Sequence, residues 1–204
     1  MTPGPGHDEP CPFVSRGGLK LRSALDEFAI DPAGWTCADF GCNVGGFTDC
    51  LLQAGAAKVY AIDTGYGELA WTLRNDARVV VMERTSALRI EPPERVDLVV
   101  IDMGWTPQRL AIPAALAWLK PGGRIITLIK PHYELRPEEK GLLDRGVLPD
   151  EAARRIAERT AAAMPQLGAA ARAVIGSPIR GGKGKGRRGN AEWLALVEPG
   201  PVGA

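Results

Sequence analysis

Ten residues constrain this chain more than any others: Asp39-Phe40-Gly41-Cys42-Asn43-Val44-Gly45-Gly46-Phe47-Thr48. Before them, Trp35-Thr36-Cys37-Ala38 reads as a strand, and Phe47-Thr48-Asp49-Cys50-Leu51-Leu52 reads as the start of a helix. A strand, a glycine turn and a helix N-terminus together bring backbone N–H groups up to a ligand. Gly41 suits a tight turn at positive φ, and Gly45 and Gly46 are expected to clear side chains from where a ligand meets the backbone. The spacing Gly-x-x-x-Gly-Gly is not the Gly-x-Gly-x-x-Gly of a dinucleotide loop. It also lacks the Gly-Lys-Ser/Thr of a phosphate loop.

A carboxylate, Asp39, stands just before the first glycine. It would repel phosphate but could hold an ammonium group. That favours S-adenosyl-L-methionine (AdoMet), which carries a zwitterionic amino-acid tail and no phosphate. About twenty residues on, Lys58-Val59-Tyr60-Ala61-Ile62-Asp63 is a short apolar strand ending in an acid, where a ribose-binding carboxylate belongs. The alternative role for Asp63 is a turn former or helix cap.

The remaining chain repeats the same alternation. A helix is predicted from about Gly17 to Phe28, capped by Ser15, with Leu21, Ala24, Leu25 and Phe28 on one stripe and Lys20 on its shoulder. Strands are predicted over 78–82, 95–102 and 124–130, with helices near 68–74 and 107–119 and a turn at Lys120-Pro121-Gly122-Gly123. Residues 131–149 read as a polar loop and candidate lid. A helix capped by Asp150 follows to about Met164, then a closing strand pair over 171–175 and 191–197. This is an α/β, Rossmann-like, doubly wound, mostly parallel seven-stranded sheet with an antiparallel closing strand, whose ligands sit at strand C-termini. Residues 1–12, rich in Pro and Gly, are expected to be a disordered tail, and 13–199 one domain.

At 204 residues the chain can bury a full core. Its net charge of +1 announces no nucleic-acid partner globally. No apolar run is long enough for a membrane span and no signal peptide is present, so the expectation is cytoplasmic. Cys11, Cys37, Cys42 and Cys50 form no Cys-x-x-Cys pair, and the histidines are His7 and His132, so no metal is expected.

Asp39, Asp63, Asp102 and Lys130 all end predicted strands, and Lys20 can cover that edge. Burial and a second cation nearby disfavour an ammonium, with Asp102 opposing them, so Lys130 is the candidate base for a hydroxyl. Arg180, Lys183, Lys185, Arg187 and Arg188 lie in a glycine-rich loop without acids. That loop is either solvated or a grip on phosphates. Trp105, Tyr133 and Trp193 are candidate base-stacking rings if exposed, with Trp193 favoured as core.

Five stretches together resemble one family: Phe13-Val14-Ser15-Arg16-Gly17-Gly18-Leu19-Lys20-Leu21, Gly45 through Ala56, Val59 through Gly67, Ile129-Lys130-Pro131 and Gly189-Asn190-Ala191-Glu192-Trp193. They resemble the TlyA (haemolysin-like) branch of the FtsJ-type ribosomal RNA 2′-O-methyltransferases, over roughly residues 13–197. The resemblance implies a Lys-Asp-Lys-Glu catalytic set of Lys20, Asp102, Lys130 and Glu192, with Lys130 as base. It also implies Asp63 on the cofactor ribose, Asp39 and the turn (Gly41, Asn43, Gly45, Gly46, Phe47) around the methionine moiety, Asp102 beside the cofactor and Glu83 near the adenosine.

Three departures stand out. The family carries an N-terminal S4-type RNA-binding domain, and here only a dozen residues precede the motif. Met103-Gly104-Trp105 stands where the family has Leu-Ser-Phe, and Cys42-Asn43-Val44 where it has Ala-Ser-Thr. The expected partner is RNA, ribosomal by resemblance, with a separate RNA-binding partner in place of the S4 domain and no DNA or membrane. Two other readings stand beside this one: a methyltransferase for a small molecule or protein, and an RNA- or ribosome-binding protein with vestigial catalysis.

Overall fold

The computed structural model describes residues 11–182 and 189–200. Apart from Cys11 and Pro12, the expected tail lies outside them, as do Lys183, Lys185, Arg187 and Arg188. Seven strands form one sheet: β1 Thr36–Phe40, β2 Lys58–Ile62, β3 Val79–Met82, β4 Val96–Ile101, β5 Leu119–Ile129, β6 Ala169–Gly176 and β7 Trp193–Pro199. The helices are α1 Gly17–Glu27, α2 Gly46–Gln53, α3 Trp71–Arg74, α4 Gln108–Leu116 and α5 Asp150–Ala162.

The order across the sheet is β3-β2-β1-β4-β5-β7-β6. Only β7 runs against its neighbours, pairing antiparallel with both β5 and β6. The closing pair is therefore not simply appended: β7, last in the chain, inserts between β5 and β6. Chain order reverses between β1 and β4, and such a switch point opens a crevice at the strand C-termini.

Burial on both faces explains the unbroken apolar runs of the central strands. In β4, Leu98 and Val100 face the layer made by α1 and α2, with Leu21, Leu25, Cys50 and Leu51. Val99 and Ile101 face the other layer, with Ile112, Ala115 and Trp118. Trp118 meets Phe40 and Tyr60 edge-on, at centroid distances of 5.4 and 5.9 Å. Cys37 and Cys50 are core thiols, which burial pushes up to about 12.

Several elements differ from the sequence reading. Ser15 does not cap α1 at its N-cap position, which Arg16 occupies; the Ser15 hydroxyl instead accepts a bond from the Gly17 N–H at 3.3 Å. Asp150 is the first residue of α5, not its cap, and its carboxylate pairs with Arg180. The predicted 120–123 turn is a bulge inside β5: Val96 pairs with Leu119 and Leu98 already with Arg124. Residues 131–149 are not a plain loop. Pro131–Tyr133 and Pro137–Leu142 are 3-10 turns, and Arg159 of α5 fastens them through Glu139 and the Glu134 carbonyl.

Candidate active site

The glycine turn leaves β1 sharply. Gly41 sits at φ +85°, and a Cβ there would lie 3.0 Å from the Asp102 carbonyl oxygen. Gly41 thus lets the end of β1 lie against the end of β4. The N–H groups of Gly41 and Cys42 both donate to the Ile62 carbonyl, at 2.9 and 3.1 Å. Asn43 follows at φ +48°, a conformation open to asparagine at modest cost.

Gly45 and Gly46 also serve an end the sequence did not suggest. A Cβ on Gly45, at φ +102°, would lie 2.3 Å from Leu73 Cδ1. A Cβ on Gly46 would lie 2.2 Å from Ser15 Oγ and 2.9 Å from the Gly18 nitrogen. Both glycines therefore admit protein neighbours, α3 against the turn and α1 against α2, and Gly46 also lines the cleft at the strand ends. That close approach of α1 is what carries Lys20 to the strand ends.

Around the turn, the ends of β4 and β5, the first residues of α1 and Glu192 enclose a cleft of about 480 Å³. Lys20, Gly41, Asn43, Gly46, Phe47, Asp102, Lys130, Arg180 and Glu192 line it. The four residues of the implied catalytic set meet here as two ion pairs. Lys20 Nζ donates to Glu192 Oε2 at 2.5 Å, with side chains only 10% and 3% exposed. Lys130 Nζ lies 2.5 Å from Asp102 Oδ1 and donates to the Met103 carbonyl at 3.2 Å. Lys20 is thus neutralised by its own partner and is not a free second cation acting on Lys130. Burial raises Glu192 above the ordinary carboxylate range, and Lys20 opposes that rise.

The other sequence-predicted residues stand around or beneath the cleft. Asp63 is half-buried at the end of β2, its two oxygens accepting the N–H groups of Asn43 (2.9 Å) and Gly65 (2.7 Å). Glu83 accepts the Gly67 N–H at 2.8 Å and pairs with Arg74, so its carboxylate first serves to tie the loops after β2 and β3 together. Asp39 lies under the turn rather than in the cleft. It is 0% exposed; Thr48 Oγ1 donates to its Oδ2 at 2.7 Å, and Oδ1 has no hydrogen-bond partner. Direct contact of Asp39 with a ligand ammonium would need the turn to shift, whereas its hold on Thr48 fixes the first turn of α2.

Burial pushes the Asp39 carboxyl up to about 7, with the Thr48 hydrogen bond opposing. The unfolded chain binds this proton only below about 3.8. Between those two values the native state holds more protons, so stability falls as pH rises through the window. At ~1.36 kcal/mol per pKa unit the loss reaches about 4 kcal/mol. Asp39→Asn is expected to flatten that decline, read as urea midpoints across the same pH range. Parallel wild-type and variant profiles would contradict it.

Arg180 makes a bidentate pair with Asp150, at 2.9 and 2.6 Å, a partner the loop's own sequence does not contain. Sequence reasoning overlooked Arg16 and Gly181. Arg16 lines the cleft and donates to the Gly182 carbonyl at 3.3 Å. A Cβ on Gly181 would lie 2.0 Å from Glu192 Oε1, so a side chain there would have to displace the carboxylate. The signal was present in both cases, as an arginine within the quoted Ser15–Gly18 motif and a glycine beside Arg180. Trp105 is 86% exposed at φ +58° and packs on Tyr133 at 5.0 Å between centroids. Trp193 is half-buried and packed against the core, as expected.

The arrangement fits AdoMet. The turn offers a glycine-lined wall, Asp63 is held ready at the next strand end, and the turn contains no lysine to demand a phosphate.

The FtsJ-like methyltransferase family model matches residues 13–184. The chain is 47% identical over 132 residues to the 16S/23S rRNA (cytidine-2′-O)-methyltransferase TlyA of Mycobacterium tuberculosis, covering 63% of this chain and 49% of that one. It is 38% identical over 190 residues to YqxC, a candidate rRNA methyltransferase of Bacillus subtilis, covering 91% and 65%. A hemolysin candidate from Streptococcus thermophilus, 34% identical, superposes with a TM-score of 0.86 over 95% of this chain and 70% of that one. The chain spans about half the length of the mycobacterial relative and under two thirds of the Bacillus one. No helix among the described residues is long and apolar enough to cross a membrane. Sequence, topology and cleft agree on the assignment: the chain belongs to the FtsJ-like methyltransferase family, whose members imply AdoMet as methyl donor.

Proposed function

We propose that this chain methylates a ribose 2′-hydroxyl of RNA, ribosomal RNA in the first instance, with Lys130 as the base. The observation that carries the proposal is the meeting of Lys20, Asp102, Lys130 and Glu192 in one cleft beside the glycine turn. The named activity of the mycobacterial relative, a cytidine-2′-O-methyltransferase for rRNA, supports it.

AdoMet supplies an electrophilic methyl group already activated on a sulfonium. The turn from Gly41 to Phe47 and the Asp63 carboxylate would hold it. What remains for the chain is to align the hydroxyl and take its proton. A lysine ammonium has three N–H directions. In Lys130 one points to Asp102 and one to the Met103 carbonyl, leaving a single direction for an acceptor hydroxyl. The neutral amine, held by the same two contacts, directs its lone pair there and receives the proton as the oxygen attacks. Glu192 keeps Lys20 fixed on the opposite wall, and the Trp105–Tyr133 pair offers a ring surface beside Gly104, which lines the cleft.

The test is transfer of labelled methyl from AdoMet to ribosomal subunits and to total RNA, followed by extraction. Label in the RNA fraction supports the proposal. Label confined to protein or to small molecules contradicts it.

A further inference from the structure

A second concavity of about 580 Å³ lies beyond Tyr133, between the start of α4, the 3-10 turns after β5 and α5. Its lining includes Arg109, Arg136, Lys140 and Arg159. Arg159 is committed to Glu139. Arg109, Arg136 and Lys140 are exposed, and none forms an ion pair among the described residues. The carboxylates at this groove are already engaged. Glu139 is held by Arg159, and Glu134 Oε1 accepts the Gln108 N–H at 2.8 Å. Burial also raises Glu134 above the usual carboxylate range, with the Gln108 N–H and the charges of Arg109 and Arg159 opposing that rise.

The groove is linked to Lys130 through the Pro131–Tyr133 turn. Tyr133 lines it, and the Tyr133 N–H donates to the Lys130 carbonyl at 2.8 Å. Burial raises the Tyr133 phenol first, and the charges of Glu192 and Asp102 raise it further, so its hydroxyl feels the catalytic cleft. Tyr133 also carries Trp105 on its ring. A strand leaving Lys130 past this aromatic surface would meet three exposed cations that form no ion pair among the described residues. That sequence of surfaces suits a single strand whose bases stack and whose phosphates need neutralising.

We propose that Arg109, Arg136 and Lys140 form a phosphate-binding groove for the RNA strand flanking the acceptor nucleotide. This rests on the reading of the acceptor as RNA. The groove contributes affinity and register, not base identity.

The experiment measures binding of a short fluorescein-labelled single-stranded RNA across a potassium chloride series, using the full chain with S-adenosylhomocysteine present. Each phosphate contact on a single strand contributes about 0.7 to the slope of log K against log salt. Arg109→Gln/Lys140→Gln is expected to lower that slope by about 1.4, with S-adenosylhomocysteine affinity unchanged by calorimetry. Arg95→Gln/Arg124→Gln removes the same charge just before β4 and in β5 just past its bulge, and is expected to leave the slope as it is. An unchanged slope in the groove variant, or a flat slope in the wild type, overturns the groove. If the wild type transfers labelled methyl to RNA while the groove variant binds normally, the groove fails and the methyltransferase reading stands. If the wild type labels no RNA, that reading fails and the groove with it.

Discussion

Replacing Lys130 with alanine is expected to lower the rate of methyl transfer by roughly 10²–10⁴-fold, the usual contribution of a positioned general base. Cofactor affinity should not change, because Lys130 sits at the end of β5 and the turn and Asp63 belong to β1 and β2. Stability should change little as well. The variant leaves Asp102 without its cation, but that side chain is partly open to water. Lys130→Arg is the sharper companion. It keeps the charge and the Asp102 pair, yet a guanidinium does not give up its proton at ordinary pH. If the Lys130→Arg variant binds cofactor, folds normally and retains activity, then Lys130 contributes charge and not proton transfer.

The second large effect concerns Lys20 and Glu192. This pair is buried on both sides at 2.5 Å, unlike the more open Lys130–Asp102 pair. Removing one partner leaves a charge with neither water nor counter-ion. Lys20→Met or Glu192→Met alone is therefore expected to cost about 3–5 kcal/mol in urea unfolding. The double variant, with two apolar side chains of similar volume, should recover most of that loss, since buried ion pairs often break even against apolar replacements. Activity should not recover with stability. A double variant as unstable as either single would contradict the description of the pair as mutually compensating. Restored activity would remove Lys20 and Glu192 from the catalytic account.

Much of this site was legible because a parallel sheet places its chemistry at strand C-termini, and apolar runs mark where strands end. Asp39, Asp63, Asp102 and Lys130 each follow such a run, and each stands at a strand end in the fold. Lys20 was legible only as a shoulder position on α1. Its burial depends on how closely α1 approaches α2, which Gly46 permits and no periodicity reveals. The insertion of β7 was hidden for a similar reason. Alternation identifies a strand but not its neighbours. The protein neighbours of Gly45 and Gly46 were not legible, because a glycine records that something comes close, not what it is. The partner of Arg180 was not legible within its basic run, since Asp150 lies thirty positions earlier in the chain. Asp39 was placed correctly at its strand end, but its side-chain burial under the turn is a property of three dimensions.

The most direct test of the central claim is the alkaline hydrolysis of RNA labelled by this protein from methyl-labelled AdoMet, with the Lys130→Ala variant alongside. Alkali cleaves RNA through attack by the 2′-hydroxyl, and a 2′-O-methyl group blocks that attack. The account predicts that the label emerges in an alkali-stable dinucleotide and is lost with Lys130→Ala. Label recovered in mononucleotides would place the methyl on a base and contradict it.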